Sequence, residues 1–136
     1  MKTINELTEK IGINHLNEMQ GAVVKAIQHT NDNIMVLSPT GSGKTLAYLL
    51  PLVCMVDSAS DDLQAIVIVP GRELALQSLN VLHSLGNDVR GYACYGGRPT
   101  MDEHRQLRQL KPHIIFATPG RMNDHIDKDN VDVDSV

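Results

Sequence analysis

Aromatic side chains are scarce in this sequence: one Phe, three Tyr and no Trp among 136 residues. A core made from it must be aliphatic, drawn from Leu, Ile, Val, Ala and Met. Excess positive charge is also missing. The formal net charge is -4 and the pI about 5.8, which argues against a broad basic face that captures nucleic acid by bulk electrostatics. A grip made from a few arginines, helix N-termini and backbone amides stays open. Cysteine is limited to Cys54 and Cys94, both in apolar segments without partner spacing. They read as buried free thiols of a reducing cytoplasm. The six histidines show no metal-ligand spacing. The sequence shows no signal peptide and no apolar run long enough to span a membrane, so a cytoplasmic location without membrane contact is expected. Internal repeats and low-complexity segments are absent as well.

What the chain does have is 42% hydrophobic residues, enough at this length for one globular domain. It also has the stretch Ser38-Pro39-Thr40-Gly41-Ser42-Gly43-Lys44-Thr45. An apolar run, Ile34 to Leu37, precedes it and another, Leu46 to Val56, follows. Strand, glycine-rich turn and helix are the context of a phosphate-binding loop. Gly41 and Gly43 let successive N–H groups converge on one anion, and the positive end of the following helix points at the same place. Cofactor binding is expected from Thr40, Gly41, Ser42, Gly43, Lys44 and Thr45. Lys44 would reach the β- and γ-phosphates of a nucleotide, and the Thr45 hydroxyl would bind Mg²⁺. These two are the candidate catalytic residues. Ser38 takes the first position of the usual G-x-x-x-x-G-K-[ST] pattern.

Capping-box spacings predict helices beginning after Thr3 and Asn17, with Glu6 and Gln20 as the reciprocal partners, and a third such spacing joins Thr100 to Glu103. Gln20 keeps two readings: a capping partner for Asn17, or an amide that reads a ligand edge. Strands are expected at Ile34–Leu37, Leu63–Val69, Val89–Cys94 and His113–Ala117. The first is an apolar run of the kind buried on both faces of a parallel sheet. Helices are expected from Lys44 to about Met55, with Pro51 inside, from Arg72 to Leu85, from Pro99 or Thr100, and after Thr118, where Pro119 takes the first helical position. This β-α alternation predicts an α/β fold, a parallel sheet with helices on both faces in three layers. Ligands of such sheets bind beyond the C-terminal strand ends. Those ends carry Ser38 to Gly43, Pro70 to Arg72, Gly96 to Arg98 and Thr118 to Arg121.

The set Pro70-Gly71-Arg72-Glu73-Leu74-Ala75, then Gly96-Gly97, then Thr118-Pro119-Gly120-Arg121, following the phosphate loop, resembles the first RecA-like domain of DEAD-box RNA helicases. The resemblance runs from about Gln20 to Arg121. It implies ATP as the nucleotide and RNA as the partner. It implies an adenine contact for Gln20 and RNA-backbone contacts for Pro70, Arg72, Gly96, Gly97, Thr118, Gly120 and Arg121. From the residues alone, Arg72 pairing with Glu73 or Glu103, and Arg121 as a structural helix residue, stay open beside those roles. The sequence departs from the family at Gly71, where Thr is usual, and at Ser38. It departs again at Leu16-Asn17-Glu18-Met19-Gln20, where the family commonly has Pro-Thr-Pro-Ile-Gln.

Hydrolysis requires an Asp to hold Mg²⁺ and a Glu to orient water. The family supplies both as Asp-Glu-Ala-Asp on a later strand, and no such sequence follows Arg121 here. The expected organisation is therefore a partial RecA-like domain. Residues 1–33 form a helical lead-in, 34–121 the β/α core and 122–136 an acidic connector. The second RecA-like domain would lie elsewhere in a longer parent. The piece alone is expected not to hydrolyse ATP, and its unpaired sheet edge is expected to cause self-association or marginal stability. A superfamily 2 DNA helicase and a non-catalytic nucleotide- or RNA-binding module are the competing readings.

Overall fold

Two of the three predicted capping boxes place helix starts correctly, and the third shows what spacing alone misses. In the computed structural model, which describes residues 3–39 and 43–136, the Thr3 hydroxyl accepts from the Glu6 N–H and starts α1, Ile4–Lys10. Asn17 and Gln20 form a complete reciprocal box ahead of α2, Glu18–His29. The Thr100–Glu103 box does not form. Pro99 is the N-cap of that helix, without a side-chain bond, because the Glu103 carboxylate is buried and held by other groups. Thr118 is an N-cap as expected, with Pro119 in the first turn, but its side chain makes no cap bond.

The chain divides into two compact units. The first comprises Met1–Met55 with Ser84–Gly86. It holds α1, α2 and α3, Lys44–Met55. Helix α2 packs on α3, and Leu7, Val23, Val24, Leu49, Leu50 and Val53 are buried. Pro51 lies inside α3, which continues to Met55. The expected strand Ile34–Leu37 is a correction. These residues have no strand pairing, and Met35 and Leu37 are 86% and 90% exposed. A strand is stable only when neighbours take up its backbone groups. Among the described residues no strand pairs with this run, so its apolar character does not bury it.

The second unit, Val56–His83 with Asn87–Val136, carries the sheet. Its strands are β1, Ala65–Ile68, β2, Gly91–Cys94, and β3, Ile114–Ala117. All pairings are parallel in the order β1-β3-β2, with Val67 and Ala93 both opposite Phe116. Helix α4, Arg72–Ser84, joins β1 to β2. Helix α5, Thr100–Leu110, joins β2 to β3, and α6, Pro119–Asp127, follows β3. Alternation along the strands sorts the layers. Cys94, Ile115 and Ala117 cluster with Leu107 of α5 and Met122 of α6. Gly91 and Phe116 face the other way, toward Leu79 and Leu82 of α4. The sheet is thus covered on both faces, as the sequence predicts, but with three strands among the described residues where four were expected. Burial also extends past Arg121: Met122 and His125 are buried within a stretch whose charge reads as solvated.

Gly91 is fixed by packing. A Cβ there would lie 2.4 Å from Leu82 Cδ2 and 3.0 Å from Leu79 Cδ1. Gly91→Ala is expected to destabilise the chain by about 1–3 kcal/mol, the usual cost of overpacking a filled core. A urea midpoint equal to that of the wild type would contradict this.

Candidate functional site

The expected nucleotide residues lie in the first unit. Helix α3 begins at Lys44 and has no acidic residue in its first turn, so nothing there offsets the positive field of its N-terminus. Gly43 precedes it with φ +85°, a left-handed conformation that favours glycine. The Lys44 ammonium is exposed and donates to the Ser38 carbonyl at 2.7 Å. Thr45 stands half-buried in the first turn of α3. Thr40, Gly41 and Ser42 lie outside the described residues.

Gln20 does more than cap α2. Its Oε1 accepts from the Asn17 N–H at 3.1 Å, and its Nε2 donates to the Gly43 carbonyl at 3.2 Å. The side chain is almost fully buried. A Cβ on residue 43 would fall 2.3 Å from that Nε2. Gln20 therefore ties the start of α2 to the last turn residue before α3. An adenine contact would have to use the second N–H or the remaining lone pairs of the amide.

The remaining candidates lie in the second unit, at the C-terminal ends of its strands. Pro70, Arg72, Gly96, Gly97 and Gly120 are exposed and Thr118 is half-buried. Gly97 has φ +95°, with nothing within 4 Å of where a Cβ would stand. The loops after β2 and β3 therefore offer bare backbone to a ligand. Arg72 makes no ion pair with Glu73 or Glu103. Its guanidinium carbon lies 5.2 Å from the centre of the Tyr95 ring.

Arg121 turns inward. Its Nη2 donates to the Arg98 carbonyl at 2.8 Å, and its Nη1 lies 3.0 Å from Glu103 Oε1 as an ion pair without hydrogen-bond geometry. With its side chain only 10% exposed, Arg121 ties the loop after β2 to the start of α6. Glu103 is the centre of that arrangement and was not singled out by sequence reasoning as a functional residue. Its carboxylate accepts from Tyr95 N–H at 2.9 Å, Arg98 Nε at 2.8 Å and His125 Nε2 at 2.8 Å. Asn130 Nδ2 lies 3.0 Å from His125 Nδ1 on the far side of the ring. Burial alone would raise the Glu103 pKa. The bonds from His125, the Tyr95 amide and Arg98, with the Arg121 ion pair, outweigh it and hold the carboxyl below its usual range.

Cys94, Glu103 and His125 also bring three potential metal ligands within 4.8 Å of one another. The chemistry of the pocket disfavours a cation there. Two guanidiniums already neutralise the carboxylate, and burial pushes the Cys94 thiol up to about 12, far from the thiolate that binds metal. Burial likewise raises the Cys54 thiol. Both cysteines are buried and free, as expected.

The sequence of both units matches a known family. The model of the DEAD/DEAH box helicases matches residues 17–136. The chain belongs to the DEAD/DEAH box helicase family. The ATP-dependent RNA helicase CshA of Limosilactobacillus reuteri is 45% identical over 101 residues, 71% of this chain and 20% of that protein. The DEAD-box ATP-dependent RNA helicase CshA of Bacillus subtilis is 37% identical over the whole chain and 27% of its own length. The chain thus spans about a quarter or less of these helicases. The crystal structure of a DEAD box protein from Methanococcus jannaschii superimposes with a TM-score of 0.89 at 28% identity, over 100% of this chain and 37% of the other. The RecA-like α/β fold expected from the sequence is therefore the fold of this helicase family. No described helix is long and apolar enough to cross a membrane.

Proposed function

We propose that this chain is the ATP-binding and RNA-backbone-binding portion of an ATP-dependent RNA helicase that remodels RNA duplexes. One observation carries the reading: the exposed loops after β1, β2 and β3 present Arg72, the bare backbone of Gly96-Gly97 and the N-terminus of α6 on one edge of one sheet. Groups of this kind grip phosphate and sugar without reading bases. They also suit a protein whose net charge is -4. In this reading Pro70, Arg72, Gly96, Gly97, Thr118 and Gly120 touch RNA, and Arg121 supports them. Lys44, Thr45 and residues 40–43 hold the triphosphate, and Gln20 is bonded to the Gly43 carbonyl.

Mg²⁺ fits this arrangement only as part of a nucleotide complex. Thr45 offers one hydroxyl, and phosphates and water would complete the octahedron. Bound there, the ion would draw charge from the β- and γ-phosphates; Lys44 supplies the second positive charge. The Asp-Glu-Ala-Asp sequence does not occur in residues 1–136, and in this reading the chain alone binds ATP without hydrolysing it. The missing chemistry, the second RecA-like domain and a cytoplasmic setting belong to the whole protein. Strand β1 pairs with β3 alone among the described residues, and its Ile68 is 53% exposed. Self-association of the isolated chain through that edge follows.

The test is a pair of measurements on the purified chain. Labelled single-stranded RNA should bind in a salt-dependent way, and RNA should compete better than DNA of the same length. Phosphate release from ATP should stay at background with RNA present. RNA-stimulated hydrolysis would overturn the inactive reading. Equal or better competition by DNA would move the protein to a DNA helicase.

A further inference from the structure

Aromatic residues are few here, yet one sits where two loops meet. Tyr95 is the first residue after β2 and is half-buried. Its ring lies under two cations: the Arg98 guanidinium carbon at 4.2 Å and that of Arg72 at 5.2 Å from the ring centre. Both distances are within the range in which a ring quadrupole attracts a guanidinium. The backbone of the same residue is fixed from beneath by the buried Glu103 carboxylate, which also takes Arg98 Nε. Arg98 is thus held at both ends of its guanidinium region, by carboxylate and by ring. Arg72 has no ion pair among the described residues, so the ring is the group that restrains it.

We propose that Tyr95 is a positioning residue for RNA binding: its ring orients the Arg72 guanidinium and couples the loop after β1 to the glycine loop after β2. The inference rests on the reading of Arg72 as a phosphate contact. A long exposed arginine loses rotamer freedom when it grips an anion. A ring that already restricts it removes part of that loss, and leaves the guanidinium edge available for the bidentate bonds that phosphate accepts. Tyrosine suits the task because it is rigid and its face is negative. The phenol oxygen has no part in this role, so phenylalanine should replace it.

The experiment is fluorescence anisotropy with a labelled ten-nucleotide oligouridylate and the 136-residue chain, comparing Tyr95→Phe, Tyr95→Leu, Arg72→Ala and the double variant Arg72→Ala/Tyr95→Leu. Tyr95→Phe should bind within about twofold of wild type, and Tyr95→Leu about threefold to fivefold more weakly. Arg72→Ala should bind about tenfold more weakly and lower the salt slope by about one. The double variant should bind no more weakly than Arg72→Ala, because a ring that acts through Arg72 has nothing left to act on. Two single losses that multiply in the double variant, or a Tyr95→Leu chain that binds like wild type, would overturn the proposal while leaving the RNA reading intact. Loss of the RNA reading looks different: wild type fails to bind, or Arg72→Ala binds as wild type does, and the inference falls with it. A measurement that needs no variant guards against misfolding of Tyr95→Leu. The Arg72 δ-methylene protons should be shifted upfield by the ring in the wild-type NMR spectrum, and unshifted protons would equally overturn the coupling.

Discussion

Replacing Glu103 with alanine is expected to destabilise the chain by about 3–5 kcal/mol, the range for removing one partner from a buried ion pair. The carboxylate is fully buried and joins four groups: the Tyr95 amide, Arg98, Arg121 and His125. Arg98 is a third exposed and can turn toward water, whereas Arg121 is nearly enclosed and would keep an uncompensated charge. The Tyr95 N–H would also lose its acceptor. Urea unfolding followed by circular dichroism measures this, and a loss below about 1 kcal/mol would show that the cluster adds nothing beyond a surface pair. A pH dependence accompanies it. The folded-state pKa of Glu103 lies below the ordinary glutamate value of about 4.3. Its contribution is therefore complete above that ordinary value and is lost as pH falls through the lowered folded value. Between about pH 5 and strong acid the wild type should lose more stability than Glu103→Gln, which does not titrate there.

Lys44→Ala is expected to weaken binding of a fluorescent ATP analogue with Mg²⁺ by about tenfold to a hundredfold, the loss of a charge-assisted bond to phosphate. The ammonium is exposed at the start of α3 and spends one N–H on Ser38 O. Its other protons are the ones a phosphate would take. Since an exposed substitution of this kind moves stability by no more than about 0.5 kcal/mol, thermal unfolding without nucleotide should hardly change. Unaltered nucleotide affinity would remove Lys44 from the phosphate site. A large drop in stability would instead make its bond to Ser38 the reason for its presence.

Much of this architecture is legible in the residues, for stated reasons. The loops after β1, β2 and β3 announce themselves because Gly, Pro, Arg and Thr interrupt apolar runs at regular intervals. Ile34–Leu37 misleads because hydrophobicity reports a preference for burial and says nothing about which strand will supply the partner. The Thr100–Glu103 spacing misleads in another way. It shows that the carboxylate can reach the cap, but the competition is settled by Arg98, just ahead of the helix, and by Arg121 and His125, which come from about twenty residues further on. His125 and Tyr95 carry no signal in the sequence, because each takes its meaning from a neighbour over twenty residues away, Glu103 and Arg72. Gln20 was legible as a cap, whereas its second bond to Gly43 crosses a loop whose path no periodicity reveals.

The strand order has a consequence for how the molecule is made. The middle strand, β3, is the last of the three to be synthesised, and among the described residues β1 and β2 pair only with it. Until Ile114–Ala117 leaves the ribosome, neither earlier strand has a neighbour to hydrogen-bond. Some fifty residues of β1, α4, β2 and α5 must wait with apolar faces uncovered. Sheets of this kind close late and expose sticky intermediates meanwhile. The nascent chain should therefore be more chaperone-dependent just before residue 114 emerges than just after residue 117 has.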